Sequence, residues 1–474
     1  MLPAALLALV KRFDPVQALR VWWHNLSPTG LLVASFALLV ALGTAGLMLL
    51  PGLYVGAPLP FVDALFTMTS AVCVTGLTVV DTATYFTFWG QLWIVTFIQL
   101  GGLGLFALTT LIIGALGRRL SLRSEMLTLP RTEIGSRRNV KDIVFAVARF
   151  TFIVEGVGAV LVFVHFLGFH GPAQAAWHAV FHAISAFCNA GFSTFSNSMQ
   201  DYAGNPFVLV PMALMVVIGS FGYLAGEEAI HWWRAGGPRG ARRLSSHTWA
   251  AGLVTLLLLL LGTVAFAVFE WSGVLGHLGA VDKVFNSFFL SANRTAGFTA
   301  VEFGQLTNAS AYFIILLMLV GGSPGSMAGG IKTTGLAILI ALAIARIRGR
   351  RYVAIHDRTV PESTVQRTVS LTLVAFTLLT LGVLVFAFTE GDGGEVEAAR
   401  AMFLPHVFEV ASAMATTGLS MDVTPTLSPA GRLLTTLLMF IGRVGPLTFF
   451  AIVSLKSSGL PRDYRPARED IVVG

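Results

Sequence analysis

The chain has 474 residues, of which 55% are hydrophobic and only 12% charged, with a mean hydropathy of +0.77. A soluble protein carries about twice that charged fraction, so the composition excludes a soluble enzyme or regulator and points to a polytopic membrane protein. The formal charge of +7 does not mark a nucleic-acid binder, because 25 of the 31 Lys and Arg fall in five segments, 11–20, 118–149, 234–243, 346–367 and 456–468. These segments lie between apolar stretches and at both ends, and the positive-inside rule turns them all toward the cytoplasm. The intervening loops lean acidic, as at Glu390, Asp392, Glu395 and Glu397. Cys73 and Cys188 read as small buried apolar side chains rather than a disulfide. The first residues show no charged region ahead of an apolar run and no small-residue cleavage site, so no cleaved signal peptide is expected.

Residues 1–28 read as a cytoplasmic N-terminus, with Lys11, Arg12 and Arg20, and with Trp22 and Trp23 suited to the membrane interface. Residues 29–50 predict a first spanning helix, near the length a bilayer requires, stopped by Pro51 and Gly52. The stretch 61–75 is too short to cross and has no basic residue to end on, so it reads as re-entrant. A helix over about 87–117 then returns the chain to Arg118 and Arg119. The same order recurs with helices near 143–169 and 206–232 around a loop at 175–192, and with helices near 247–271 and 311–345 around a loop at 282–298. It recurs once more with helices near 367–389 and 430–455 around a loop at 400–419, leaving 456–474 as a cytoplasmic C-terminus. The predicted fold is an all-α polytopic membrane protein of four repeats, 29–117, 143–232, 247–345 and 367–455. It has eight transmembrane helices, four re-entrant pore loops and both termini inside.

The loops carry the repeat. FTMTSAVCVTGLT around Gly76 returns as FHAISAFCNAGFS around Gly191, SFFLSANRTAGFT around Gly297 and FEVASAMATTGLS around Gly418. Each has Ser-Ala six and five residues before its glycine: Ser70-Ala71, Ser185-Ala186, Ser291-Ala292 and Ser412-Ala413. The glycines are 115, 106 and 121 residues apart, which makes the chain four diverged copies of one unit. Each closing helix also carries Gly-x-x-Gly, at Gly101/Gly104, Gly219/Gly222, Gly322/Gly325 and Gly442/Gly445. Small residues there let helix backbones approach in lipid, and they also make room beside a pore.

Non-helical backbone at membrane depth is tolerated only where protein buries it or where it lines a water-filled path. Four such loops around one axis would present rings of carbonyl oxygens that replace a cation's hydration shell. The candidate filter is therefore Val74, Thr75 and Gly76; Asn189, Ala190 and Gly191; Thr295, Ala296 and Gly297; and Thr416, Thr417 and Gly418. Each preceding helix would point its negative end at the axis, which favours a cation.

The third closing helix is interrupted by GGSPGSMAGGIKTTG, residues 321–335. Gly321, Ser323 and Gly325 have the form of a hydrolase nucleophile elbow, but no strand precedes them and no His/Asp pair is near. A phosphate-binding loop is spoiled by Ile331 between Gly330 and Lys332. The favoured reading is an unwound segment across the pore that gates it, with Gly322, Ser323, Gly325, Ser326, Gly329, Gly330 and Lys332 as its working residues. Lys332 and Arg443 are cations at membrane depth and hence functional candidates. Arg443, inside the fourth Gly-x-x-Gly, would act as a barrier that tunes cation residence, or pin a broken helix through its carbonyls, and the two roles are compatible. Arg294 would neutralise a carboxylate behind the filter or reach the outer surface. His178 and His182 share a helix face and read as packing residues rather than a metal face. Glu155 is left open between helix partner and proton carrier.

Four helix–loop–helix (M1–P–M2) units with one glycine per loop, together with GGSPGSMAGGIKT, resemble the Ktr/Trk/HKT superfamily of potassium transporters over about 29–455. The resemblance implies eight core helices in pseudo-fourfold arrangement around one pore, and K+ held by the filter carbonyls, with Na+ as a second possible ion. It maps the filter glycines to Gly76, Gly191, Gly297 and Gly418, the gate to 321–335 and the last-helix arginine to Arg443. In plant relatives a serine at the first filter position goes with sodium transport, so Gly76 implies potassium. The resemblance further implies a homodimer in a bacterial inner membrane, gated by a separate cytoplasmic RCK-type nucleotide-binding subunit, with no organic cofactor in this chain. The short stretch before the first helix is similar to the Ktr branch. One glycine per loop, rather than T-V-G-Y-G, implies fewer ion sites and weaker discrimination than in tetrameric channels. The competing readings are a Na+- or H+-coupled symporter, against which all four units run in one sense, and an intramembrane hydrolase using Ser323.

Overall fold

Long apolar runs free of charge satisfy their backbone hydrogen bonds as helices, and helices make up most of the structure. The computed structural model describes residues 28–104, 140–237, 243–356, 358–391 and 396–445. The predicted cytoplasmic termini, the far end of the 87–117 helix with Arg118 and Arg119, and the end of the 430–455 helix lie outside the described residues. The chain runs through α1 (Pro28–Leu49), α2 (Phe61–Val72), α3 (Phe88–Leu103), α4 (Val140–Phe166), α5 (Pro172–Phe187), α6 (Pro206–Phe221) and α7 (Tyr223–Arg234). It continues through α8 (Ser246–Glu270), α9 (Ala280–Ala292), α10 (Asn308–Leu319) and α11 (Thr333–Ile347). A hairpin of β1 (Ala354–Ile355) and β2 (Arg358–Thr359) follows, then α12 (Glu362–Thr389), α13 (Val396–Ala415) and α14 (Pro429–Val444).

Among the described residues four helices are long and apolar enough to cross a bilayer: α1, α4, α8 and α12, the last three with candidate spans of 23, 25 and 28 residues. Their outer faces expose rows of large apolar side chains, such as Val157, Val160 and Val164 on α4 and Leu256, Leu260 and Val264 on α8. Water would not tolerate such faces, and lipid does; the fold fits a polytopic membrane protein.

Two of the expected closing helices are not continuous. The 206–232 stretch breaks at Gly222, whose φ is 84°, and α6 and α7 meet there at a bend of 103°. The 311–345 stretch is helical only as α10 and α11, with an irregular segment between them that bridges back on itself from Val320 to Ile331. Gly222 ends α6 because glycine adopts a positive φ without strain, whereas α10 ends at Val320 in extended backbone.

The two glycines of Gly-x-x-Gly turn out to do different jobs. A Cβ added to Gly101, Gly219 or Gly442 would lie 2.0, 1.9 or 2.1 Å from the carbonyl oxygen of Val72, Phe187 or Met414, at the end of the short helix of the same unit. The second glycine is instead a break point in three units, with positive φ at Gly222, Gly325 and Gly445.

Carboxylates tie the helix pairs together. Glu270, at the end of α8, accepts the Thr307 N–H at 3.0 Å and its hydroxyl at 2.8 Å, and Thr307 caps α10. Glu390, read from sequence only as loop charge, takes the Ser428 N–H at 2.9 Å and its hydroxyl at the cap of α14. Between units, Trp177 donates to Gln91 at 2.7 Å, and Arg432 on α14 pairs with Asp63 on α2.

Gly101→Ala and Gly442→Ala should each lower stability by about 1–3 kcal/mol, the cost of forcing atoms into a filled space. Gly156→Ala, where an added Cβ meets nothing within 4 Å, should be neutral or slightly stabilising. Thermal unfolding in detergent reads the three side by side, and equal melting temperatures would contradict the packing role.

Candidate functional site

Three of the four short helices end in the same backbone device. The Ser70 carbonyl accepts the Thr75 N–H at 2.8 Å, and the Ala71 carbonyl accepts the Val74 N–H at 3.1 Å. Ser185 and Ala186 accept from Ala190 and Asn189 at 2.7 and 3.0 Å, and Ser412 and Ala413 from Thr417 and Thr416 at 2.9 and 3.1 Å. This paired closure is a Schellman motif, and it requires the residue inside it to be left-handed. Val74, Asn189 and Thr416 are so held, at φ 56°, 62° and 49°. For the β-branched Val74 and Thr416 that conformation is strained, by roughly 1–3 kcal/mol each. In these three units the main-chain carbonyls of Ser-Ala close the helix end. In the first and fourth units the serine hydroxyl also accepts the N–H of Gly76 or Gly418, both at 3.0 Å.

The third unit stops differently. Asn293–Thr295 form a single 3-10 turn, and the N–H groups of Ala296 and Gly297 return to the Asn293 carbonyl at 3.0 and 3.3 Å. No residue of that turn is left-handed until Gly297 itself, at φ 69°.

Beyond these turns the four loops meet. A Cβ on Gly76 would lie 2.3 Å from the Ala190 oxygen, and one on Gly191 would lie 2.4 Å from the Ala296 oxygen. On Gly297 it would lie 2.7 Å from the Thr417 oxygen, and on Gly418 it would lie 2.0 Å from the Thr75 oxygen. Each glycine presses on the carbonyl that precedes the next unit's glycine, so the loops close a ring in chain order. All four glycines have positive φ, from 69° to 99°. Side chains add to the junctions: Asn189 donates to the Thr295 hydroxyl at 3.1 Å, and the Thr417 hydroxyl donates to the Arg294 carbonyl at 3.3 Å. The twelve residues named from sequence are thereby brought together, and the eight that are not glycine are all buried.

The segment 321–335 crosses beside this ring. Ser323 N–H donates to the Ser220 carbonyl at 2.8 Å and Met327 N–H to the Gly219 carbonyl at 3.1 Å, both on α6. At its other side a Cβ on Gly329 would collide with the Thr416 hydroxyl and lie 2.7 Å from the Ala415 carbonyl. One segment therefore reaches from the second unit to the fourth. Its bare carbonyls find cationic donors: Arg443 donates to the Met327 carbonyl and, at 3.0 Å, to that of Gly101, and Lys332 donates to the Ala328 carbonyl at 2.7 Å. Arg294 is buried rather than at the surface, meets no carboxylate among the described residues, and donates to the carbonyls of Val320 and Gly321. Ser323 shares its hydroxyl with Thr333 at 3.0 Å, an arrangement with no general base.

Other candidates fall into place as packing groups. His178 bonds Thr194 at 2.7 Å, and His182 bonds the His178 carbonyl and Ser193 at 2.7 and 2.9 Å. Glu155 accepts from Gln99 on α3 at 3.2 Å, which makes it a partner between helices. Sequence reading passed over Glu409, a fully buried carboxylate that takes the hydroxyls of Ser420 and Thr424. Its one signal was a lone acid in an otherwise apolar stretch.

Converging loops set among lipid-facing helices define a membrane transport protein. Residues 31–460 match the TrkH family of cation transport proteins, and the chain belongs to that family. It is 33% identical to the Ktr system potassium uptake protein B of Bacillus subtilis, over 92% of this chain and 96% of the relative. It is 35% identical to the protein of the same description from Vibrio alginolyticus, over 86% and 88%. It is 32% identical to the potassium/sodium uptake protein NtpJ of Enterococcus hirae, over 95% and 98%. The crystal structure of the potassium transporter TrkH from Vibrio parahaemolyticus superposes with a TM-score of 0.69, at 17% identity, over 91% of this chain and 86% of that one. These relatives are transporters, not enzymes.

Arg443→Met should release the Met327 and Gly101 carbonyls, each bond to a charged donor being worth about 1.5–3 kcal/mol. Amide hydrogen exchange across 323–332 should then quicken by roughly tenfold or more. Unchanged protection would mean that the arginine does not hold the segment.

Proposed function

We propose that the chain is the translocation subunit of a potassium-uptake system, passing K+ through one channel-like pore without covalent chemistry. The observation that carries this reading is the closed ring in which every loop glycine abuts the carbonyl of the next unit. A ring of loop carbonyls can replace the hydration shell of a monovalent cation, and glycine leaves no side chain in its path. The potassium relatives, at high coverage, support K+ as the cargo, and the Enterococcus relative keeps Na+ as a second permeant ion. Each unit contributes two membrane helices and one re-entrant pore loop, eight helices in all, with both termini in the cytoplasm of a bacterial inner membrane. The membrane potential drives uptake, at about 2.3 kcal/mol per charge per 100 mV.

The segment 321–335, with Lys332 and Arg443, is the gate beneath the filter. A switch needs an element of low intrinsic stability, and this one is irregular backbone held by scattered main-chain bonds and a few side-chain donors. The Ktr system names of the relatives support a separate regulatory partner, which we assign to an RCK-type nucleotide-binding ring docked on the cytoplasmic face of a homodimer.

Rubidium uptake into proteoliposomes tests both halves. Gly76→Ser places a side chain against the Ala190 oxygen and should lower rubidium uptake relative to sodium, while deletion of 323–330 should raise uptake. If neither change alters a robust wild-type flux, the four loops are not the conduction path. Ser323→Ala should cost about 1 kcal/mol of stability, one hydroxyl bond, and leave uptake in place. Its complete loss would favour the hydrolase reading instead.

A further inference from the structure

Nine residues before the ring glycines stand Thr67, His182, Phe288 and Glu409, and two residues after them stand Thr78, Ser193, Thr299 and Ser420. In the second and fourth units these positions are joined. His182 Nε2 lies 2.9 Å from Ser193 Oγ, and Ser420 Oγ donates to Glu409 at 2.8 Å, both across 11 residues of chain. His182 Nδ1 faces the His178 carbonyl, which can only accept, so Nδ1 carries the proton and the neutral ring accepts the Ser193 proton at Nε2. Ser193 Oγ in turn accepts the Phe195 N–H at 2.9 Å. The second Glu409 oxygen is taken by Thr424. The other two units lack the link: Phe288 has no polar atom, and the Thr67 hydroxyl has no hydrogen-bond partner among the described residues. In the ring's cyclic order the second and fourth units occupy opposite corners.

We propose that His182 and Glu409 are positioning residues that brace the outer lip of the ring at two opposite corners, and that discrimination between K+ and Na+ depends on these struts. The proposal rests on the ring being a cation filter. A carbonyl ring prefers K+ only while its oxygens are kept from closing on the smaller ion. Glycines without side chains supply no stiffness, so stiffness has to come from behind the loops. Collapse along the braced diagonal would draw Ser193 and Ser420 off their buried partners, leaving an imidazole nitrogen and a carboxylate unpaired away from water. On the diagonal of the first and third units this side-chain link is absent among the described residues, and Thr299 is held only through its main chain, by Ser198 and Met199.

The test is the rubidium-to-sodium uptake ratio in proteoliposomes, with a melting temperature for every variant. Ser193→Ala and Ser420→Ala each remove one strut without touching the helices, and each should lower the ratio by about tenfold, the worth of a buried or charged hydrogen bond. Glu409→Gln keeps an acceptor oxygen and should fall between Ser420→Ala and wild type. Thr78→Ala, at the corresponding unbraced position, should keep the wild-type ratio. If both serine variants hold the wild-type ratio and only their melting temperatures fall, the struts are structural and the proposal is wrong. A wild type that takes up sodium but no rubidium would instead overturn the filter reading itself, and this inference with it.

Discussion

The structure depends on one close approach: a glycine Cα laid against the carbonyl oxygen of the neighbouring unit, four times around a closed ring. Any side chain there would push two loops apart, and because the ring is closed the displacement would pass to the others. Everything behind the ring serves that approach. The short helices stop at the same register through paired carbonyl closures, and strained left-handed residues are tolerated because burial leaves them nowhere else to go. The closing helices come within touching distance of those helix ends only because Gly101, Gly219 and Gly442 have no Cβ.

Breaking helices inside a membrane frees carbonyls that water cannot satisfy. The protein answers with cations. Arg294, Lys332 and Arg443 all direct their nitrogens at main-chain oxygens of residues 320–328 or of Gly101. A cation in lipid is usually expected to have an acid beside it, yet here peptide dipoles take that part. The result is a segment anchored at points rather than along a ladder, which is what distinguishes it from the helices on either side.

Much of this was legible in the sequence, and the reasons are specific. The loops announced themselves through Ser-Ala and glycine at fixed spacing, and at the glycine a positive φ and a close approach to the neighbouring loop tolerate few alternatives. The interruption was visible because five glycines and Pro324 fall within residues 321–330, a density that a helix does not tolerate, whereas Gly335 lies within α11. What escaped was whatever depends on a partner distant in the chain. Gly222 looked like a helix-packing residue and is a bend of 103°; nothing local separates it from Gly219. Glu390 looked like loop charge and is a cap for Ser428. Arg294 sits where three sister units have Cys73, Cys188 and Ala415, and its target on Val320 and Gly321 exists only once α10 has folded back.

That arginine shows what tandem units in a single chain permit. A ring assembled from four identical subunits must repeat every feature at every corner. Here one corner alone has given up the left-handed turn, taken a 3-10 turn and placed a guanidinium behind it. Among the described residues it is also this unit whose closing helix opens into the crossing segment. The two departures are complementary, since the guanidinium binds the carbonyls that the opening exposes. Duplication within one polypeptide thus lets a single quadrant diverge behind the ring while all four glycines keep the ring's close approach.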